Sequence, residues 1–440
     1  MMRTARLVLC GVVAVVLLGP VRAIPLRGQN QQAGSPQTTF RSTTSLVEVD
    51  AVILDDKGQF VPGLTAEDLK LFEDGKPQSI QQFYMVTHDS SNAIAPTANV
   101  SVPGMQMPEE HARRVFVVVF DEGSLATESL MRAKKGAEQF IQDQIGPGDV
   151  GGVFINSSMY RGRLTTDKNE LLMAVRSSKP AFDTRTSLLA ALREFPVIPS
   201  ENDAERIEQG AMEVTERLGQ DACNADPATC AQDGNLQGVE TLLQNKARLY
   251  VRTSRALVAQ TIQNLQYVAG GLAHIPGRKT MILMSEGFFS EESRAILQNV
   301  AAQAARGGTT IYSIDARGNV NHMSVNPDVV RASMSRSGGF DTGDDSLNIL
   351  TSGTGGFMVR GLDDLDRAFG MIVRDTSTYY VIGYEPDNKT MDGKYRKIEL
   401  KSVSKGLTIR SRKGYLAITL PPLEQIRTAG GSGRSGGGNR

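Results

Sequence analysis

Between residues 112 and 385, apolar runs of strand length alternate with segments of helical periodicity. The predicted strands of this region are Arg114–Phe120, Asp149–Asn156, Thr280–Met284, Thr309–Ile314 and Thr378–Tyr384. Strands that are apolar on both faces are typical of sheets covered by helices on both sides, and parallel strands need such crossovers. The pattern therefore predicts an α/β fold with a doubly wound, mostly parallel sheet.

Two stretches with strand-like patterning flank this region, at 45–88 and 386–420. The first contains turn signals at Asp55-Asp56-Lys57-Gly58 and Glu73-Asp74-Gly75, which predict three or four short strands. Neither stretch has enough strands to be stable alone, so we predict that they pair into one small β-sandwich. The remaining segments are predicted to be linkers or a flexible tail, at 24–44, 89–111 and 421–440.

The first 23 residues have the pattern of a secretory signal peptide. Arg3 and Arg6 precede the apolar run Leu7–Leu18, and Ala23 provides a small residue at the expected cleavage site. The chain is therefore predicted to be exported, to a periplasmic, cell-envelope or secreted location, with no transmembrane anchor in the mature protein. Basic and acidic residues balance at 48 each, so nucleic acid is not an expected partner.

Removing the signal peptide would also remove Cys10, which leaves Cys223 and Cys230. Two nearby cysteines in an exported chain favour a disulfide, and two free thiols are the alternative. The pair falls within residues 196–250, where a charged sequence with helical periodicity predicts a helical insertion into the α/β domain.

Acidic residues follow three of the predicted parallel strands. Asp121 and Glu122 end the run FVVVF, Glu286 follows TMILMS, and Asp315 follows TIYSI. Ligands of open parallel sheets bind beyond the carboxyl ends of the strands, so these residues are candidate site residues. One interpretation is a hydrolase or other enzyme that uses Asp121 and Glu286 as an acid–base pair, although no nucleophile or oxyanion motif accompanies them.

Four stretches carry a family resemblance when they are taken in order. They are FVVVFDEGSL (116–125), TSLLAAL (186–192), MILMSEGF (281–288) and TSGTGGFMV (351–359), the last followed by TYYVIGYEPDNKTMDGKYRKIEL. This order resembles the von Willebrand factor A (VWA) domain, a Rossmann-like fold, and in particular the exported bacterial VWFA-related proteins. The early segment VPGLTAEDLKLFEDGKPQSI is similar to the N-terminal module of that subfamily.

The resemblance implies a metal-ion-dependent adhesion site, which in VWA domains binds Mg²⁺ or Mn²⁺ through oxygen ligands. Asp121 matches the first aspartate of that site, Thr186 matches its threonine, and Glu286 replaces its second aspartate. These residues and Ser124 are the possible metal ligands.

The family's two serine positions are occupied by Gly123 and Leu125, which cannot ligate a metal. Ser124 lies between these two serine positions, so its hydroxyl is expected to point away from the metal site. Metal dependence is therefore expected to be weak or lost. In the alternative without a metal, Asp121 and Glu286 are turn and helix-capping residues, and Thr186 is a helix N-cap.

The resemblance favours an exported, non-enzymatic protein-recognition or scaffold module. It would bind a protein partner over a surface that we call the strand-end rim, formed by Asp121, Glu122, Thr186, Glu286 and Asp315. The alternatives are the acid–base enzyme and a purely structural envelope protein. An enzyme would place the two carboxylates in a deep pocket, a recognition module would place them on an open face, and a structural protein would fill the cleft with side chains.

Overall fold

The structure, a computed structural model, describes residues 46–88, 113–181, 184–232, 234–288, 294–317, 344–360 and 365–419. The predicted signal peptide, the predicted linkers and the predicted tail lie outside the described residues. Within those residues, no helix combines the length and the hydropathy needed to cross a bilayer.

The strands are numbered in chain order. They are β1 (Val47–Leu54), β2 (Leu69–Glu73), β3 (Lys76–Gln78), β4 (Ile80–Thr87), β5 (Val115–Phe120), β6 (Val150–Ile155), β7 (Ser158–Met159), β8 (Lys279–Ser285), β9 (Thr309–Asp315), β10 (Met358–Val359), β11 (Thr378–Tyr384), β12 (Tyr395–Ser402), β13 (Thr408–Ser411) and β14 (Gly414–Leu416).

The helices follow the same convention. They are α1 (Thr127–Asp143), α2 (Lys168–Ser177), α3 (Arg185–Leu192), α4 (Glu201–Glu208), α5 (Met212–Ala225), α6 (Pro227–Gln232), α7 (Asn235–Leu272), α8 (Arg294–Arg306), α9 (Asp344–Thr354) and α10 (Leu365–Ser377).

A six-stranded sheet with the order β10-β9-β8-β5-β6-β7 forms the centre of the α/β domain. Its strands pair in parallel except for the β6–β7 hairpin. Because successive residues of a strand point to opposite faces, Phe116 and Val118 pack with α1, α2 and α10, whereas Val117 and Val119 pack with α7, α8 and α9. The predicted α/β architecture with a mostly parallel sheet between helices is thus confirmed.

The two flanking stretches pair with each other in two four-stranded antiparallel sheets. Their orders are β13-β1-β11-β4 and β14-β12-β2-β3. Early and late strands alternate in the first sheet, whereas in the second they meet only where β12 pairs with β2. Side chains from both sheets, including Val49, Leu71, Tyr380, Ile398 and Tyr415, share one buried core. The sheets therefore pack face to face as a β-sandwich.

Strand β11 lies in the sandwich and not in the parallel sheet to which the sequence pattern assigned it. It pairs antiparallel with β1 on one side and β4 on the other. The strand is central and buried on both faces, with Tyr380 and Ile382 toward the sandwich core and Tyr379 and Val381 in a second cluster. A central strand that is covered on both faces has the same continuous apolar sequence in either kind of sheet, which explains the misassignment.

The insertion is helical, and it has a core of its own. Helices α3–α6 and the first half of α7 bury a shared cluster that includes Leu218, Cys230 and Leu243. The sulfurs of Cys223 and Cys230 lie at disulfide-bonding distance. Helix α7 has 38 residues, about 57 Å, and begins at Asn235. The predicted insertion ended at residue 250, which lies inside this helix. Its second half packs on the parallel sheet, so one continuous helix joins the insertion to the α/β domain.

Candidate functional site

The carboxyl ends of β5, β8 and β9 meet at one edge of the parallel sheet. Strands β5 and β8 are neighbours, as are β8 and β9, so Asp121, Glu286 and Asp315 follow one another along this edge. Thr186 reaches the same edge from α3 and donates a hydrogen bond from its Oγ1 to Oε2 of Glu286 at 2.6 Å. The structure therefore brings these four residues of the strand-end rim together.

Asp121 is enclosed by hydroxyl groups. Its Oδ1 accepts a hydrogen bond from Thr261 Oγ1 at 2.7 Å, and its Oδ2 accepts one from Ser285 Oγ, also at 2.7 Å. The residue is only 4% exposed. Burial raises the pKa of Asp121, the hydrogen bonds from Thr261 and Ser285 oppose that increase, and the nearby carboxylate of Glu286 adds to it.

The turn after β5 brings Ser124 into the same network. The backbone N–H groups of Ser124 and Leu125 donate to the Asp121 carbonyl at 2.9 and 3.1 Å, which makes a helical turn. Ser124 Oγ lies 2.8 Å from Ser285 Oγ and accepts from the Glu286 N–H at 3.1 Å. The expectation that the Ser124 hydroxyl points elsewhere is wrong. In a helical turn, residues three positions apart lie on the same side, so Ser124 is close to Asp121.

Glu286 caps helix α1. Its Oε1 accepts from the backbone N–H of Ala126 at 2.9 Å, and Thr186 donates to the other oxygen. A carboxylate at a helix N-terminus is stabilised by unpaired N–H groups and by the helix dipole. The N-cap of α3, however, is Thr184, which accepts from Ser187 N–H, and Thr186 lies exposed in the first turn. The interpretation of Thr186 as an N-cap is therefore wrong.

The two remaining acids of the strand-end rim are also bound within the fold. Glu122 accepts from Asn156 N–H at 2.8 Å and from Ser178 Oγ at 2.9 Å. Burial raises the pKa of Glu122, and these two hydrogen bonds partly offset that increase. Asp315 is 5% exposed and accepts from the backbone and guanidinium N–H groups of Arg317. These contacts hold both carboxylates in place.

The carboxylates expected to bind Mg²⁺ or Mn²⁺ are already hydrogen-bonded within the fold. Such ions need several oxygens with free lone pairs around one point, together with room for water. Both oxygens of Asp121 and both oxygens of Glu286 already accept hydrogen bonds from protein donors. A Cβ on Gly123 would lie 3.1 Å from Leu257 Cδ2, so helix α7 closely covers this turn. Across the described ranges, no three His, Cys, Asp or Glu side chains are grouped to hold a metal.

Two residues of this network were not among the sequence candidates. Ser285 ends β8 directly before Glu286, and Thr261 lies in α7, far along the chain. Thr261 did leave a signal, because it interrupts the apolar face formed by Val258, Ile262 and Leu265. A hydroxyl on the buried face of a helix needs a hydrogen-bond partner, and here that partner is Asp121.

Around Asp121 and Glu286, the strand-end rim thus forms one hydrogen-bond network whose hydroxyls and N–H groups stabilise the two carboxylates. These hydrogen bonds fix the ends of β5 and β8 relative to helices α1, α3 and α7. The chain matches no protein-family model and no curated protein.

Proposed function

We propose that this chain is a non-enzymatic protein-recognition or scaffold module of the VWA type, which binds a protein partner at the strand-end side of its parallel sheet without a metal ion. The observation that carries the proposal is the closed network around Asp121 and Glu286. Because protein donors already engage both oxygens of each carboxylate, a metal ion or a substrate would have to share or displace these hydrogen bonds. The four motif stretches described above support the VWA type.

The surface available to a partner lies beside this network. Thr127, Glu128 and Met131 are exposed on the first turns of α1, and Thr186 is exposed on α3. Met131 is 60% exposed and lies three and four residues after the other two, so the three side chains share one face of the helix. Methionine is enriched in protein interfaces, and the closed network below holds α1 and α3 in position.

The acid–base enzyme is not favoured, because Asp121 and Glu286 are 4% and 3% exposed. A substrate would have to displace Thr261 and Ser285 before it reached Asp121. A purely structural role is the second candidate, and one observation favours it: Leu257 of α7 packs against the turn after β5.

The test is a capture experiment from the exported fraction of the source cells. The wild-type chain is compared in Mg²⁺ and in EDTA, and with Met131→Arg as the surface variant. Val403→Arg is the matched control, because Val403 is a similarly exposed apolar residue, in the turn between β12 and β13. We expect one partner to be retained in EDTA, lost with Met131→Arg and retained with Val403→Arg.

Two results would contradict the proposal in different ways. If the wild-type chain binds the partner in Mg²⁺ but not in EDTA, binding depends on a metal ion. Binding that survives Met131→Arg together with Thr186→Arg would remove the strand-end side as the docking surface. The absence of any specific partner would favour the purely structural role.

A further inference from the structure

A small cavity lies at the opposite edge of the parallel sheet, where β8 and β9 begin. Its volume is about 40 Å³, and its lining includes Asp50 of β1, Arg278, Thr309 and Arg412. It therefore lies between the α/β domain and the first sheet of the sandwich. Sites for organic ligands are usually larger than about 300 Å³, so this cavity has room for only a very small species.

Arg278 is one of two buried guanidinium groups in the lining. The residue is 7% exposed, and its Nη2 donates to Tyr312 OH at 2.8 Å. Its Nε and Nη1 are buried without a hydrogen-bond partner among the described residues. The carboxylates of Asp50 and Asp375 lie 4.0 and 3.8 Å from its nitrogens, close enough to balance its charge but too far for hydrogen bonds.

Arg412 is the second guanidinium, and it is 8% exposed. Its Nη atoms donate to the carbonyl oxygens of Ala305 and Glu48, and its Nε is buried without a partner. Within the described parts of the chain, no carboxylate forms an ion pair with Arg412. Glu48 also lines the cavity, and its backbone carbonyl accepts one of the Arg412 hydrogen bonds. Burial lowers the pKa of Arg412, and the nearby carboxylate of Asp50 opposes that decrease.

The polar atoms around the cavity that have no hydrogen-bond partner in the described structure are mostly donors. Besides the guanidinium nitrogens, the Thr309 hydroxyl is buried without a partner in the described structure. Buried polar groups are almost always hydrogen-bonded, and an unpaired buried charge is costly, so these groups need an acceptor. A water molecule can accept two hydrogen bonds and brings no charge. An anion accepts hydrogen bonds and also adds negative charge beside two guanidinium groups that share the Asp50 carboxylate.

We propose that this cavity binds a monovalent anion of the size of chloride, held by Arg278, Arg412 and Thr309. The anion would tie the start of β8 and β9 to the sandwich, since Arg412 follows β13 and Arg278 precedes β8. This site is independent of the function proposed above, because it lies at the other edge of the sheet and uses none of the rim residues.

The solution test is thermal unfolding of the full chain in chloride, bromide or gluconate at constant ionic strength. Gluconate serves as the reference because it is too large for a cavity of about 40 Å³. We expect chloride and bromide at 100 mM to raise the melting temperature by roughly 3 °C relative to gluconate. Thr309→Val, which keeps the side-chain shape, should raise the half-maximal chloride concentration by about fivefold.

Arg412→Met should abolish the chloride response, and Arg217→Met, which changes an exposed arginine of α5, should leave it unchanged. If Arg412→Met does not fold, Thr309→Val and a bromide-grown crystal of the natural chain still decide the question. Anomalous bromide density beside Arg278 and Arg412 is the expected result. Density for water alone, equal melting in chloride and gluconate, or a chloride dependence that neither variant changes would overturn the proposal.

Discussion

Asp121 is the residue on which the strand-end network depends, because it accepts hydrogen bonds from two buried hydroxyls on different elements. We predict that Asp121→Ala lowers the free energy of unfolding by about 3 kcal/mol, since Thr261 and Ser285 are then left buried without an acceptor. Asp121→Asn keeps one acceptor and should lose about 1 kcal/mol. Urea unfolding measures both, with Asp143→Ala at an exposed position as the control.

The same residue predicts a pH dependence. Because burial raises the pKa of Asp121, the native state holds a proton that the unfolded chain has already released. The stability of the natural chain relative to Asp121→Asn should therefore fall as pH rises from about 4, the ordinary aspartate value, through the raised native pKa. Urea midpoints of the two chains between pH 4 and 8 give this difference, and a difference that does not change with pH would contradict the assignment.

At the residue scale, the sequence located the carboxylates but not their partners. Asp121 and Glu286 were predictable because each follows an apolar strand, and parallel strands end at a common edge. The contact between Thr261 and Asp121 was not predictable, because helix α7 brings Thr261 there from a distant part of the sequence. The direction of the Ser124 side chain was mispredicted because the turn after β5 is helical. The sequence argument had assumed an extended chain, in which successive side chains point to opposite sides.

At the scale of elements, two helical glycines make a matched pair for testing how closely the helices pack. A Cβ on Gly136 of α1 would lie 2.7 Å from Leu365 Cβ on α10, whereas a Cβ on Gly370 of α10 would meet only Arg374 Nη1 at 3.7 Å. Gly136→Ala should therefore cost about 1–3 kcal/mol through overpacking. Gly370→Ala should stabilise by about 0.5–1 kcal/mol through helix propensity.

Urea unfolding of both glycine variants checks this prediction. Equal and small effects at the two positions would show that α1 and α10 can separate at little cost, and would contradict the close contact. The comparison is controlled internally, because both residues lie within helices and receive the same methyl group.

Most strands and helices were predictable from the sequence, whereas the sheet to which one strand belongs was not. Strand β11 was recognised as a strand from its apolar run, but that run is the same for a central strand of either sheet. Its antiparallel neighbours β1 and β4 lie near the start of the described chain, and local periodicity carries no information on such long-range pairings. Helix α7 was divided at residue 250 because its first half packs in the insertion and its second half on the sheet.

For the whole molecule, the sandwich should require both ends of the described chain. A chain that ends at Met391 lacks β12–β14, so β2 keeps only β3 as a neighbour and the sandwich core loses Ile398 and Tyr415. We predict that this chain is largely insoluble or aggregated, because unpaired strand edges and apolar faces are then exposed. A chain ending at residue 419, which retains all of the described strands, should remain soluble. Soluble yield and light scattering measure both, and a monomeric short chain would contradict the prediction.

The pairing of β2 with β12 also sets an order of events for a newly made chain. Glu73 faces Ile398 across the sheet, and β1 lies beside β13, so the earliest strands must wait for residues near the far end of the polypeptide. A ribosome delivers the chain from its amino terminus, and the helices and parallel strands of the middle region can find one another first. Strand β1, the first to emerge, pairs only with β11 and β13 and is therefore among the last to become paired, so its apolar face is a target for chaperones during translation.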